Sequence, residues 1–245
     1  MEQITKQTRE VGTSAGVLLP RSWLNKKVVV SLAEKTFEEI SRDVIDQLVK
    51  EGLLNEVKGI YLIGSYARGD YDSKSDVDIL VITNTINKII NYLDYEITLI
   101  SEKDFSKNFN SNLYRLISIN EAKTILNEEL ISRYSYIKPK LNLDKFTQEI
   151  ESIVKINGEV ITVGENVSDK TIYSLVLRLR EVYYLKCLLK KKKPSKNELV
   201  GIIGEENYES YKRIKNDEKD KFSISYKEGK KLLDLLSKWL KELKD

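Results

Sequence analysis

Residues 63–82, IGSYARGDYDSKSDVDILVI, constrain this chain more than any other stretch. An apolar strand runs into Gly64-Ser65, ten residues follow, and a second apolar strand opens on Asp76 and Asp78. Side chains two apart on a strand share a face. Both carboxylates therefore point one way, while Val77 and Ile79 anchor the other side in a core. Two carboxylates about 6–7 Å apart repel each other and cost free energy to bury. A cation has to offset them. The pair suits an oxygen-seeking divalent ion, Mg²⁺ or Mn²⁺, which takes one or two carboxylates and completes its shell with phosphate oxygens.

Gly64-Ser65 supplies the complementary half. Glycine lets the backbone approach a phosphate closely, and Ser65 adds a hydroxyl. The N–H groups of a turn opening a short helix point at an anion. Arg68 lies one helical turn beyond Ser65, on the same face, placed to meet the same phosphates or an incoming acceptor. A third carboxylate is expected on the neighbouring strand. Glu96, in YEITL, is the first choice, and Asp94, of the same parity, is the second. Such a group would ligate metal near the acceptor and take its hydroxyl proton. The chain has no histidine. That excludes Ser-His-Asp triads, zinc-His sites and His general bases, leaving Asp, Glu, Lys, Tyr or a metal for acid–base chemistry.

At 245 residues, 41% hydrophobic and 32% charged, the chain is globular and long enough for one large or two modest domains. No apolar run approaches the roughly 20 residues of a membrane span. The polar start, MEQITKQTRE, lacks the apolar centre of a signal peptide. A single cysteine, Cys187, excludes an intramolecular disulfide and reads as a core residue. A cytoplasmic location is expected. Charge is uneven: residues 1–35 carry 6 basic and 3 acidic groups, 36–138 carry 12 and 17, and 139–245 carry 23 and 18. An acidic centre that binds cations, flanked by positive surfaces for an anionic partner, accounts for this.

Along the chain, residues 9–32 read as short β segments, with Val17–Leu19 and Val28–Val30 plus Leu32 as apolar runs. They are too short to bury a core alone. Thr36 with Glu39 fits a capping box for a helix over 36–54. Strands follow at 57–63, 76–82 and 95–100, short helices at 102–108 and 112–119, and a linker at 139–143. A helix over 144–155 precedes a turn or hairpin around Gly158 and Gly164. Ser168 caps a long helix, 169–190, and Ser195 with Glu198 caps another. Helices over 205–215 and 226–243 complete the set.

The stretch from Ile63 to Val81 resembles the signature of the DNA polymerase β-type nucleotidyltransferase superfamily: a hydrophobic residue, Gly-Ser, a spacer, then Asp-x-Asp. The form G-S-x-A-R-G with S-D-x-D is similar to the minimal and kanamycin-nucleotidyltransferase-like branch. The resemblance implies that Gly64 and Ser65 hold an NTP's triphosphate and that Asp76 and Asp78 bind two metals. It also implies that a later acidic residue, Glu96, completes the triad. Residues 9–32 resemble AbrB-type swapped-hairpin modules, which pair as homodimers and often bind DNA. The helical C-terminal part resembles the substrate-binding bundle of kanamycin-type enzymes in layout.

Simpler readings stand beside these. Paired aspartates can cap a turn, and Glu96 can be a solvated strand-edge carboxylate. Residues 168–196 hold nine basic and two acidic groups, with Arg178, Arg180, Tyr183, Tyr184 and Lys186 on the long helix. That pattern suits RNA, or a solvated face with core tyrosines, and Arg178 can alternatively reach the triphosphate. Residues 9–32 can dimerise, bind DNA, or pack as a β extension with Trp23 and Leu24 buried.

The expectation is an α/β (α+β) protein in three parts. Residues 1–35 form an N-terminal β segment, 36–138 a catalytic domain with a small mixed sheet, and 144–245 an all-helical substrate- or partner-binding domain. The expected activity is metal-dependent transfer of a nucleoside monophosphate from an NTP to the hydroxyl of an RNA end or small molecule. An antitoxin-like transferase acting on a protein, and a DNA-binding regulator that retains a nucleotide-binding fold, are the alternatives.

Overall fold

A computed structural model of the chain describes residues 4–6, 8–30, 34–72, 75–161 and 166–244. The chain divides into two units, residues 1–43 and 44–245. In the first, β1 (Arg9–Val11) and β2 (Ser14–Gly16) form an antiparallel hairpin, followed by a 3₁₀ turn at Arg21–Trp23. This differs from the expected strands. Val17–Leu19 lie beyond the hairpin, and Val28, Val29 and Val30 are in no strand and are exposed. Leu32 lies outside the described residues. An apolar run becomes a strand only when another backbone offers ladder partners, and β1 and β2 already satisfy each other. Leu24 is also exposed.

Helix α1 (Phe37–Lys50) crosses the boundary. Its capping box forms as expected: Thr36 N–H donates to Glu39 Oε2 at 2.8 Å, and Glu39 N–H donates to Thr36 Oγ1 at 3.2 Å. The helix stops four residues short of its expected end because Gly52 turns left-handed at φ +69°.

The second unit is built on a five-stranded mixed sheet. Strand β3 (Val57–Ile63) leads directly into the five-residue helix α2 (Gly64–Arg68). Then come β4 (Val77–Thr83), β5 (Lys88–Tyr92) and β6 (Tyr95–Ser101). Helices α3 (Glu102–Ser106) and α4 (Leu113–Glu121) precede β7 (Lys123–Leu126) and α5 (Glu128–Ser135). Spatial order is β5-β6-β4-β3-β7. Strands β4 and β6 are parallel, and the other neighbours are antiparallel. The expected strands are present; β5 and β7 form the edges and escaped the sequence reading. Tyr61, Leu80 and Ile82 from one face pack on Phe105, Phe109, Leu116, Ile119 and Tyr134.

The remainder is helical: α6 (Leu143–Ile161), α7 (Asp169–Leu189), α8 (Lys196–Ile203), α9 (Glu205–Lys215) and α10 (Tyr226–Lys244). A two-residue strand pair, β8 (Asn166–Val167) with β9 (Ile224–Ser225), ties it together. Helix α6 runs through Gly158 rather than turning there. A Cβ at Gly158 would meet Leu233 of α10 at 3.5 Å, an ordinary van der Waals contact. Gly164 lies outside the described residues. Ser168 and Ser195 cap α7 and α8 as expected.

Helix α4 is shared between the two cores. Leu116 and Ile119 face the sheet cluster, whereas Leu113 and Ile117 join the cluster of Ile150, Ile172, Leu175, Leu179 and Leu236. Packing along α4 therefore fixes the helical part against the sheet, and a cleft forms where α2 and the start of β4 face α8 and α9.

Candidate active site

The strand register brings the acidic residues together. On β4, Asp78 pairs with Ile63 at the end of β3 and with Glu96 on β6. Asp76 lies one residue before β4 and is exposed, whereas Asp78 is partly buried. Asp94 lies in the turn between β5 and β6, where its carbonyl accepts the Val77 N–H at 2.7 Å. Glu96 is thus the carboxylate beside Asp78. Burial, followed by the Glu96 and Asp76 carboxylates, pushes the Asp78 carboxyl up to about 6.

Gly64 joins this acidic edge to the turn. It has φ +71°, a conformation that disfavours a side chain, and a Cβ there would lie 2.1 Å from Asp78 Oδ2. The Asp78 carboxylate therefore rests directly on the Gly64 backbone. The next residue, Ser65, is the second of α2 and lines the cleft.

Arg68 lines the same cleft but is already engaged. Its Nη1 donates to Glu121 Oε2 at 2.6 Å, and its Nε donates to both Asp70 oxygens at 3.2 Å. Burial disfavours its charge, but Tyr184, Glu121 and Asp70 more than offset this and hold the guanidinium above its ordinary range.

The opposite wall is basic and aromatic. Arg180 of α7 donates to the hydroxyls of Tyr184 at 3.0 Å and Tyr211 at 3.1 Å. Lys196 donates from Nζ to Asp72 at 2.7 Å and from its N–H to Asp70 Oδ2 at 2.7 Å. Lys196 and Lys212 lie over the ring of Tyr208, at 5.7 and 5.5 Å from its centre. Lys215 Nζ stands 3.7 Å from Asp76 Oδ2. Burial, then Tyr211 and Asp72, pushes the Tyr208 phenol up to about 12, so it stays protonated at neutral pH.

Arg178 is not brought to this cleft. It pairs with Glu181 at 2.7 Å and, with Tyr114, lines a separate cavity of about 600 Å³ between α4, α6 and α7. Two residues along a helix differ by about 200°, so Arg180, not Arg178, faces this cleft. Tyr183 and Tyr184 are buried. The basic–aromatic run on α7 is therefore core and cleft wall rather than an exposed stacking surface. Arg180 stood within that run, but Glu121, Lys212 and Lys215 had no motif to mark them.

The donor chemistry fits a hard divalent cation. Asp76, Asp78 and Glu96 supply only oxygens, and burial and the neighbouring carboxylates disfavour the ionised form of Asp78, with Lys215 offsetting this in part. Among the described residues, no three His, Cys, Asp or Glu side chains converge on one ion position. Two protein carboxylates with phosphate oxygens suffice for magnesium. The free cleft volume, about 130 Å³, is below the ~300–1,000 Å³ of small-molecule sites.

Residues 41–193, more than half of the chain, match the family described as Nucleotidyltransferase domain. Two solved structures are similar. One is a nucleotidyltransferase-like protein from Exiguobacterium sibiricum, at 14% identity over 83% of this chain and 75% of that one, with TM-score 0.36. The other is the spectinomycin adenyltransferase AAD(9) from Enterococcus faecialis with ATP and spectinomycin, at 14% identity over 84% and 100%, with TM-score 0.46. No curated protein sequence matches significantly. The match over residues 41–193 spans the Gly-Ser turn, the acidic strand and the long helix, and the chain belongs to the polymerase β-type nucleotidyltransferase family.

Proposed function

We propose that this protein transfers a nucleoside monophosphate from an NTP to an acceptor hydroxyl and releases pyrophosphate. The observation that carries this reading is the contact between the Asp78 carboxylate and the Gly64 backbone. It puts an acidic edge and a phosphate-approaching turn within one ion's reach of each other. Asp76 and Asp78, with Glu96 beside them, would hold Mg²⁺ or Mn²⁺. When bound, the ions supply positive charge at the α-phosphate and at the leaving pyrophosphate.

The chain's own groups do the rest. The Ser65 hydroxyl donates to the triphosphate. Arg180, whose partners are neutral hydroxyls, neutralises its charge from the opposite wall together with Lys212 and Lys215. Lys215 leaves Asp76 for a phosphate oxygen. Glu96, exposed beside Asp78, receives the acceptor's hydroxyl proton as the acceptor oxygen attacks the α-phosphorus and the bond to the β-phosphate oxygen breaks.

A narrow cleft between sheet and helices suits a compact acceptor, and the burial of Tyr183 and Tyr184 removes the stacking surface that an RNA end would use on α7. Incubation with each of four α-labelled NTPs, Mg²⁺ or Mn²⁺, and separated metabolite, RNA and protein fractions tests this. Label in the metabolite fraction is expected. Label in RNA or protein instead would replace the acceptor, and no label in any fraction would overturn the activity.

A further inference from the structure

We infer that Glu121 is the positioning residue of the phosphate turn, and that Arg68 serves Glu121 rather than the nucleotide. The inference rests on the nucleotidyltransferase reading above and adds a residue that the sequence motif does not contain.

Glu121 ends α4 and is 5% exposed. One oxygen, Oε1, accepts the Gly64 N–H at 2.7 Å; the other, Oε2, accepts Arg68 Nη1 at 2.6 Å. A carboxylate out of water is tolerated only when paired and hydrogen-bonded, and these contacts are short, charge-assisted ones. The turn is therefore held from two sides. Asp78 lies against the Gly64 Cα, and Glu121 holds the Gly64 N–H.

Two consequences follow for the site. The Gly64 N–H is committed and unavailable to a phosphate, so phosphate contacts begin at Ser65. Arg68 divides its guanidinium between Glu121 and Asp70, and Asp70 accepts the Lys196 N–H on the far wall. The chain Glu121–Arg68–Asp70–Lys196 runs from α4 through α2 to α8. It sets the spacing between the turn and the basic wall that must grip the same triphosphate. An arginine so engaged is a strut, not a phosphate clamp. A misplacement of about 1 Å at such a turn costs on the order of 100-fold in rate.

The test uses the full chain with Glu121→Ala and Glu121→Gln. Pyrophosphate affinity is measured by calorimetry, NTP turnover by initial rates, and Gly64 amide exchange by NMR. Glutamine keeps an oxygen for the Gly64 N–H and loses the charge opposite Arg68, so it serves if the alanine variant fails to fold. The expected results are a pyrophosphate affinity weakened about tenfold or more in E121A and less in E121Q. The NTP KM should rise in parallel, and Gly64 exchange should be faster in E121A. A merely structural role would lower the folded fraction, and so apparent kcat, at unchanged KM and pyrophosphate affinity; that result overturns the inference. Wild-type protein that binds neither pyrophosphate nor NTP would sink the activity reading separately. Gly64 exchange then decides the Glu121 claim, and an unchanged rate in E121A overturns it.

Discussion

Replacing Asp78 with asparagine should make the metal-free protein more stable at neutral pH, and the gain should depend on pH. Burial and two neighbouring carboxylates raise the Asp78 carboxyl from 3.8 to about 6. Each unit corresponds to ~1.4 kcal/mol, so keeping Asp78 ionised at pH 8 costs up to about 3 kcal/mol. Its partial exposure discounts this to about 2 kcal/mol. The sign follows from linkage. The folded state holds the proton more tightly than the unfolded chain, so stability is full below pH ~4 and is lost as pH rises through about 6. Asparagine is neutral throughout and escapes that loss. For a unit of this size the gain corresponds to about 4–8 °C in Tm. The assay is thermal unfolding of wild type and D78N in chelator, from pH 4 to 8. The curves should meet near pH 4 and separate with D78N higher at pH 8. Equal melting temperatures at pH 8, or a gap that ignores pH, would refute the reasoning.

Three further outcomes follow from the same geometry. Gly64→Ala should cost about 1–2 kcal/mol for the left-handed backbone alone and should displace the Asp78 carboxylate, abolishing turnover; wild-type melting and activity would contradict the contact. Lys215→Ala should raise the NTP KM about tenfold with a smaller change in kcat, since one charge-assisted phosphate contact is lost; steady-state kinetics reads this directly. Asp169 is fully buried and accepts Arg213 Nε at 2.7 Å and Nη2 at 2.8 Å. Asp169→Ala should therefore cost about 3 kcal/mol in urea unfolding. It should also flatten the acid limb of the stability curve, because the wild-type carboxyl is held low, chiefly by Arg213 and Ser210 against the effect of burial.

The sequence was most legible where local chemistry and tertiary packing agree. The strands at 57–63, 76–82 and 95–100 carry apolar residues that belong in a sheet core, and α1, α7 and α8 start at the serine or threonine that marks them. The edge strands β5 and β7 were not legible. KIINY and KTIL are short and half-exposed, and they exist because β6 and β3 offer backbone partners. Helix α6 ran past its expected end because it packs along α10, and tertiary packing overrides the low helix propensity of Gly158. At the N-terminus, the apolar composition of Val28–Val30 suggested a strand that has no partner among the described residues. The acidic edge was readable because a strand's period and a motif's spacing are one-dimensional. The basic wall was not, since Lys212 and Lys215 are ordinary residues of a charged helix until α9 packs on α7 and turns them toward the cleft. Arg178 was read in place of Arg180 because helix phase over a two-residue interval needs the packed structure to fix it.

The most direct measurement is calorimetric titration of a non-hydrolysable NTP analogue into wild type, D76N and D78N, with and without Mg²⁺. The account predicts saturable uptake by wild type that requires Mg²⁺ and is lost or greatly weakened in both variants. Uptake that ignores Mg²⁺ and both substitutions, or no uptake by wild type at all, would contradict it.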